Sequence, residues 1–131
     1  MRRSQTKIRR VLGIMSGTSI DAVDYAICDI TDQNVRMVRL WQASFPAKLQ
    51  ERLHSAAGGT CSGHELAQLH HDLGRFYAVQ ARPALKMKPQ LVGLHGQTVF
   101  HRPDAKAPAT LQIGEPAWLA EALRRGIIHI R

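Results

Sequence analysis

The chain has 131 residues, 44% hydrophobic and 5% aromatic, with a formal net charge of +8. That length suits about one domain with a core built on Leu, Ile, Val and Ala, and no apolar run approaches the roughly 20 residues that span a bilayer. Five basic residues (Arg2, Arg3, Lys7, Arg9, Arg10) crowd the start, but Gly13 and Ser16 break the apolar run behind them, a poor secretory signal, and no basic stretch is interleaved with aromatics, so neither membrane nor nucleic acid is an expected partner.

Val11–Met15 reads as a short buried strand. From Val23 to Asp29 apolar and polar positions alternate, the period of a half-buried strand. Thr31–Asn34 is a turn cluster, and Val35–Phe45 is again β-like, so the first three strands form an antiparallel meander. Pro46 opens a helix over Ala47–Ala57, which Gly58 and Gly59 end. Ser62 and Glu65 have capping-box spacing. The helix they start carries Leu66, Leu69, Leu73, Phe76 and Tyr77 down one side and is expected to stop near Arg82, before Pro83. Leu91–Leu94 is a short buried strand, followed by the polar segment His95–Thr98. Arg102–Ala109 is the tip of a hairpin that returns through Thr110–Ile113. A helix over Pro116–Arg125 follows, with Gly126 as its C′ residue, and Ile127–Ile130 begins another strand. Strand runs followed by alternating β and α predict an α/β fold, a mixed sheet with helices packed on it.

Three segments hold the residue types of a binding site. Ser16-Gly17-Thr18-Ser19 is a small, hydroxyl-rich turn between two strands, followed by Asp21 and Asp24. Glycine lets backbone N–H groups approach a phosphate, hydroxyls add donors, and a carboxylate beside phosphates holds Mg²⁺. The segment has neither the Walker A pattern nor a dinucleotide fingerprint, so a solvated hairpin stands beside the phosphate reading. Asp21 and Asp24 work together only if both stay in the turn, because strand residues three apart point to opposite faces. Gln97 and Thr98 follow a strand end, where open α/β sheets bind ligands; a plain polar turn is the alternative. Gln112 and Glu115 flank Gly114 ahead of a helix, with helix capping as the alternative. The seven histidines lack helical metal-pair spacing and read as solvated or hydrogen-bonded. Cys28 and Cys61 fit no disulfide framework or metal site and suit a reducing cytoplasm.

Gly13-Ile-Met-Ser-Gly-Thr-Ser-Ile-Asp-Ala-Val-Asp24 resembles the N-terminal signature of the anhydro-N-acetylmuramic acid kinases. Leu91-Val-Gly-Leu-His-Gly-Gln-Thr-Val-Phe-His-Arg-Pro103 and Thr110-Leu-Gln-Ile-Gly-Glu-Pro-Ala117 resemble two later motifs of that family, in the same order. The resemblance implies residues 1–131 as the incomplete N-terminal lobe of a sugar kinase/Hsp70/actin fold. It implies cytoplasmic, ATP- and Mg²⁺-dependent hydrolytic opening and phosphorylation of 1,6-anhydro-N-acetylmuramic acid to N-acetylmuramic acid 6-phosphate in cell-wall recycling, by a family-like homodimer. ATP is then expected at Gly17, Thr18, Ser19, Ile20, Asp21, Ala22, Val23 and Asp24, with Mg²⁺ reached from Asp21 through water. The anhydro-amino sugar is expected at Gln97, Thr98, Gln112 and Glu115. Position 22 is Ala where the family commonly has Gly. The family's aspartate base has no counterpart before Arg131, so the chain alone is expected to be inactive, with a non-catalytic remnant or a binding module for another chain as the alternative.

Overall fold

The computed structural model describes residues 7–104, 106–124 and 126–129. Arg2, Arg3, Arg125 and Ile130, which entered the expectations above, lie outside them. Strands β1 (Arg9–Ser16), β2 (Ala22–Ile30) and β3 (Val35–Ser44) form the expected antiparallel meander. After helices α1 (Ala47–Ala57) and α2 (Gly63–Gln80) the chain returns through β4 (Leu91–Arg102) and β5 (Ala109–Ile113), crosses α3 (Ala117–Leu123) and ends its described part in β6 (Gly126–His129). The sheet order is β3-β2-β1-β4-β5, with β6 also on β4. Pairing of β1 with β4 and of β4 with β6 is parallel and the rest antiparallel, so the sheet is mixed as expected.

β4 departs most from the sequence reading. It does not stop at Leu94 but runs on to Arg102 through the supposed polar turn. Its first half pairs with β6 over Leu91–Leu94 and its second with β5 over Gln97–Arg102. The change of partner falls at Gly96, whose φ is +82° and whose added Cβ would stand 2.7 Å from Ile113 O. A strand can pass this point only where a left-handed residue without a side chain is available.

The helix ends also shift. Ser62 Oγ accepts the Glu65 N–H at 3.0 Å, which is one half of the capping box; among the described residues the reciprocal bond from Glu65 is not made. α2 stops at Gln80, and a 3-10 turn, Arg82–Met87, carries Pro83. α3 begins at Ala117 with Pro116 as its N-cap, and Arg124, not Gly126, is the left-handed residue that closes it. Gly126 is instead the first residue of β6 because it pairs with Leu91.

One face of the sheet is the core. Leu12, Val23, Tyr25, Ile27, Val92 and Leu94 are fully buried against Leu53, Leu69, Leu73, Tyr77 and Leu119 of the helices. Each such side chain contributes about 1.5–3 kcal/mol of burial. On the opposite face Leu40, Ala26, Gly13 and Gly93 share one row by register, and Met15 and Leu40 are more than half exposed. No described helix is long and apolar enough to cross a membrane.

Candidate functional site

The three segments singled out in the sequence meet at one end of the sheet. Ser16 ends β1, and the parallel register places it beside Gln97 of β4. Ser16 Oγ donates to Gly96 O at 3.3 Å and accepts the Tyr77 hydroxyl at 2.9 Å. This assignment follows because the single Ser16 proton is used on the carbonyl. Tyr25 OH in turn donates to Tyr77 O at 3.0 Å. Burial pushes the Tyr77 phenol above its ordinary pKa, so it stays protonated and keeps donating. The next pair along, Thr98 and Gln112, face each other across β4 and β5. Gln112 Nε2 donates to Thr98 Oγ1 at 3.1 Å and Thr110 Oγ1 at 2.6 Å. Its Oε1 and the Thr98 hydroxyl proton keep no partner among the described residues, which leaves one acceptor and one donor to offer a ligand.

The turn itself is exposed at Gly17, Thr18 and Ser19 and buried again at Ile20. Ile20 N–H closes it onto Gly17 O at 3.2 Å. Among the described residues no acceptor takes the N–H groups of Thr18 or Ser19. An added Cβ on Gly17 would meet nothing within 4 Å, so the space over the turn is open. Ile20 sits at φ 56° with its side chain 3% exposed. A β-branched residue there is a genuine outlier, costing on the order of 1–3 kcal/mol. Packing holds it, as do two bonds on the far side of the turn: Gln50 Nε2 to Ile20 O at 2.8 Å and Phe45 N–H to Asp21 O at 3.1 Å.

The remaining residues of the segment divide. Asp21 is exposed, and its carboxylate has no partner among the described residues. Ala22 is half-buried at the start of β2, outside the left-handed region, so its methyl group brings no backbone strain. Val23 turns wholly into the core. Asp24 lies on β2, where it accepts Gln42 Nε2 at 2.9 Å, and has left the turn that holds Asp21. Among the described residues no three His, Cys, Asp or Glu side chains cluster as a metal site. The Asp21 carboxylate is a hard oxygen donor of the kind that suits Mg²⁺ holding its waters and phosphate oxygens.

Gln97 is fully buried. Its Nε2 donates to Gly17 O at 3.0 Å and to Thr98 O at 3.3 Å. The reverse amide orientation would set oxygen against two carbonyls, so the network fixes it. Among the described residues Gln97 Oε1 has no partner, and an unpaired buried acceptor costs about 1–3 kcal/mol.

Helix α2, which carries none of the three motifs, backs the site. Gly114 N–H donates to His70 Nδ1 at 2.9 Å, so the His70 proton is on Nε2, which donates to Glu115 Oε2 at 3.0 Å. Glu115 Oε1 accepts the Ala117 N–H at 3.0 Å. These partners, Ala117 first, hold the Glu115 carboxyl below its usual range against partial burial. Glu115 thus ties its side chain to the first N–H of α3 while that side chain stays partly exposed. Gly74 faces the Glu115 backbone so closely that any Cβ would overlap it. Gln50, His70, Gly74 and Tyr77 were not among the site residues expected from sequence. The two-residue spacing rules do not reach them, because each acts through a fold contact with a distant segment.

A cavity of about 400 Å³ lies between α2, the 3-10 turn and α3, lined by Arg75, Arg82, Leu85 and Trp118 among others. It takes no residue from the three segments, and its open, largely apolar wall has none of their donors.

Residues 9–130 match the family model described as "Anhydro-N-acetylmuramic acid kinase". Curated proteins of that name are similar to the chain. One from Vibrio parahaemolyticus is 36% identical over 79% of this chain and 30% of its own length. Those from a Sulfurovum species and from Vibrio cholerae are 32% and 34% identical over 90% and 91% of this chain, each covered to 34% of its own length. The chain thus spans about a third of the relatives it matches.

Proposed function

Given that the chain belongs to the anhydro-N-acetylmuramic acid kinase family, we propose that it supplies the phosphate-binding wall of an ATP site and part of the adjoining sugar site. One observation carries the reading: among the described residues the Thr18 and Ser19 N–H groups of the turn Gly17–Ile20 have no acceptor, while the carbonyls at its two ends, Gly17 O and Ile20 O, accept protein donors. Unpaired N–H groups in a turn attract anionic oxygens. Phosphoryl transfer rests on positioning and charge stabilisation, and this turn offers both. The hydroxyls of Thr18 and Ser19 add donors. Asp21 is the residue that would hold Mg²⁺, which when bound neutralises charge on the phosphates.

Thr98 and Gln112, paired across β4 and β5, and Glu115 beyond them have side chains that suit the hydroxyls and amide of 1,6-anhydro-N-acetylmuramic acid. In the proposed reaction water adds to the anomeric carbon, O6 leaves that carbon and takes the γ-phosphoryl group of ATP, and ADP departs. The products are N-acetylmuramic acid 6-phosphate and ADP, in a cytoplasmic setting. We assign none of the described residues the role of the base that activates the water. The coverage of about a third of the relatives' length favours binding without turnover by this chain alone.

Titration of the 131-residue chain with MgATP tests the reading. Saturable binding is expected, at least tenfold weaker in Asp21→Asn, with no sugar phosphate formed in a coupled assay. A flat titration defeats the ATP assignment, and turnover by this chain defeats the reading of binding without turnover.

A further inference from the structure

Two glutamine side chains from distant elements grip the exposed turn. Gln97 on β4 donates to Gly17 O, and Gln50 on α1 donates to Ile20 O. These are the carbonyls at the two ends of the strained Gly17–Ile20 turn. A free carbonyl in such a turn can swing toward a bound anion and repel it. A carbonyl held by a protein donor stays on the protein side and leaves the neighbouring N–H groups facing solvent. Packing alone does not account for Gln97. It is fully buried, its Oε1 is unpartnered among the described residues, and a hydrocarbon of the same shape would avoid that cost. A buried amide retained against stability is a sign of a functional demand at that position.

We infer that Gln50 and Gln97 are positioning residues of the phosphate turn: they hold the Gly17 and Ile20 carbonyls away from bound phosphate, and Gln97 is not a sugar ligand. The inference rests on the ATP reading of the turn. Because the second proton of Gln97 Nε2 lies on Thr98 O, the same side chain fixes the sugar-site strand relative to the phosphate turn.

The test compares the full chain with Gln97→Met, Gln50→Met and the double variant. It uses amide hydrogen exchange, melting temperature and MgATP titration. Exchange at Ile20 should rise at least tenfold in each variant, while Leu69–Leu73 in α2 stays unchanged. The melting temperature of Gln97→Met should match or exceed the parent's, because the variant also removes the orphaned oxygen, and MgATP affinity should fall at least tenfold. Unchanged exchange at Ile20 overturns the claim that these amides hold the turn. Affinity and melting temperature falling together in Gln97→Met overturns the positioning role in favour of a structural one. No binding by the parent chain defeats the ATP reading, and with it the phosphate part of the inference; the exchange result still decides whether the amides hold the turn.

Discussion

Tyr77 illustrates what single side chains do in this molecule. Its ring fills the core while its hydroxyl supports Ser16, the last residue before the Gly17–Ile20 turn. Tyr77→Phe keeps the ring and removes one buried neutral hydrogen bond, leaving Ser16 its bond to Gly96 O. The expected loss is about 1 kcal/mol, read as a lower urea midpoint with an unchanged slope; an unchanged midpoint contradicts the role. The helical spacing of Leu69, Leu73 and Tyr77 made the buried face legible in the sequence. The hydroxyl's partner was not, because nothing local to Tyr77 points to a residue 61 positions away. Asp24 is the opposite case. Sequence already indicated that strand residues three apart diverge, and Asp24 does part from Asp21 onto β2.

At the scale of elements, α2 is a back wall for two loops. Gly74 lets it approach the β5–α3 connection, and His70 pins Gly114 and Glu115 there. Gly74→Ala forces a methyl group against the Glu115 backbone. Overpacking of this kind costs about 1–3 kcal/mol, and the helix must shift away from the connection. Faster amide exchange at Gly114, together with a lower melting temperature, is the expected signature; a variant as stable as the parent with unchanged exchange speaks against close packing here. The meander, both long helices and the β4–β5 hairpin were legible because their periodicity and turn residues agree. The length of β4 was not. His95, Gly96 and Gln97 look like punctuation in sequence, and only the exchange of partners from β6 to β5 keeps them extended. The close of α3 escaped for a related reason: Gly126 has the residue type of a C′ cap, but pairing with β4 claimed it for a strand.

For the whole molecule, pH enters through a cross-strand junction. Arg10 on β1 grips Asp29 on β2 with bonds of 2.8 and 2.9 Å and also reaches Met87 O, and Arg36 on β3 adds a third contact to Asp29. The hydrogen bond from Arg10, against some desolvation, lowers the Asp29 pKa to about 2. The folded value lies below the unfolded one of about 4, so the junction's contribution is complete above that range and is lost as pH falls through about 2. Acid unfolding of the parent and Asp29→Asn should differ near neutrality and converge across that window; a constant difference down to pH 2 refutes the assignment. The pairing of β1 with β4 has a different consequence, for the order of events during synthesis. Gly17 and Gln97 are 80 residues apart, and contacts this distant form only after the intervening chain is made and its loop entropy overcome. A nascent chain that has emerged only as far as residue 90 already contains every residue of the Gly17–Ile20 turn, yet it has no strand to set beside Ser16 and no amide for Gly17. The site's most recognisable sequence emerges first, and its geometry is completed only once β4 has followed.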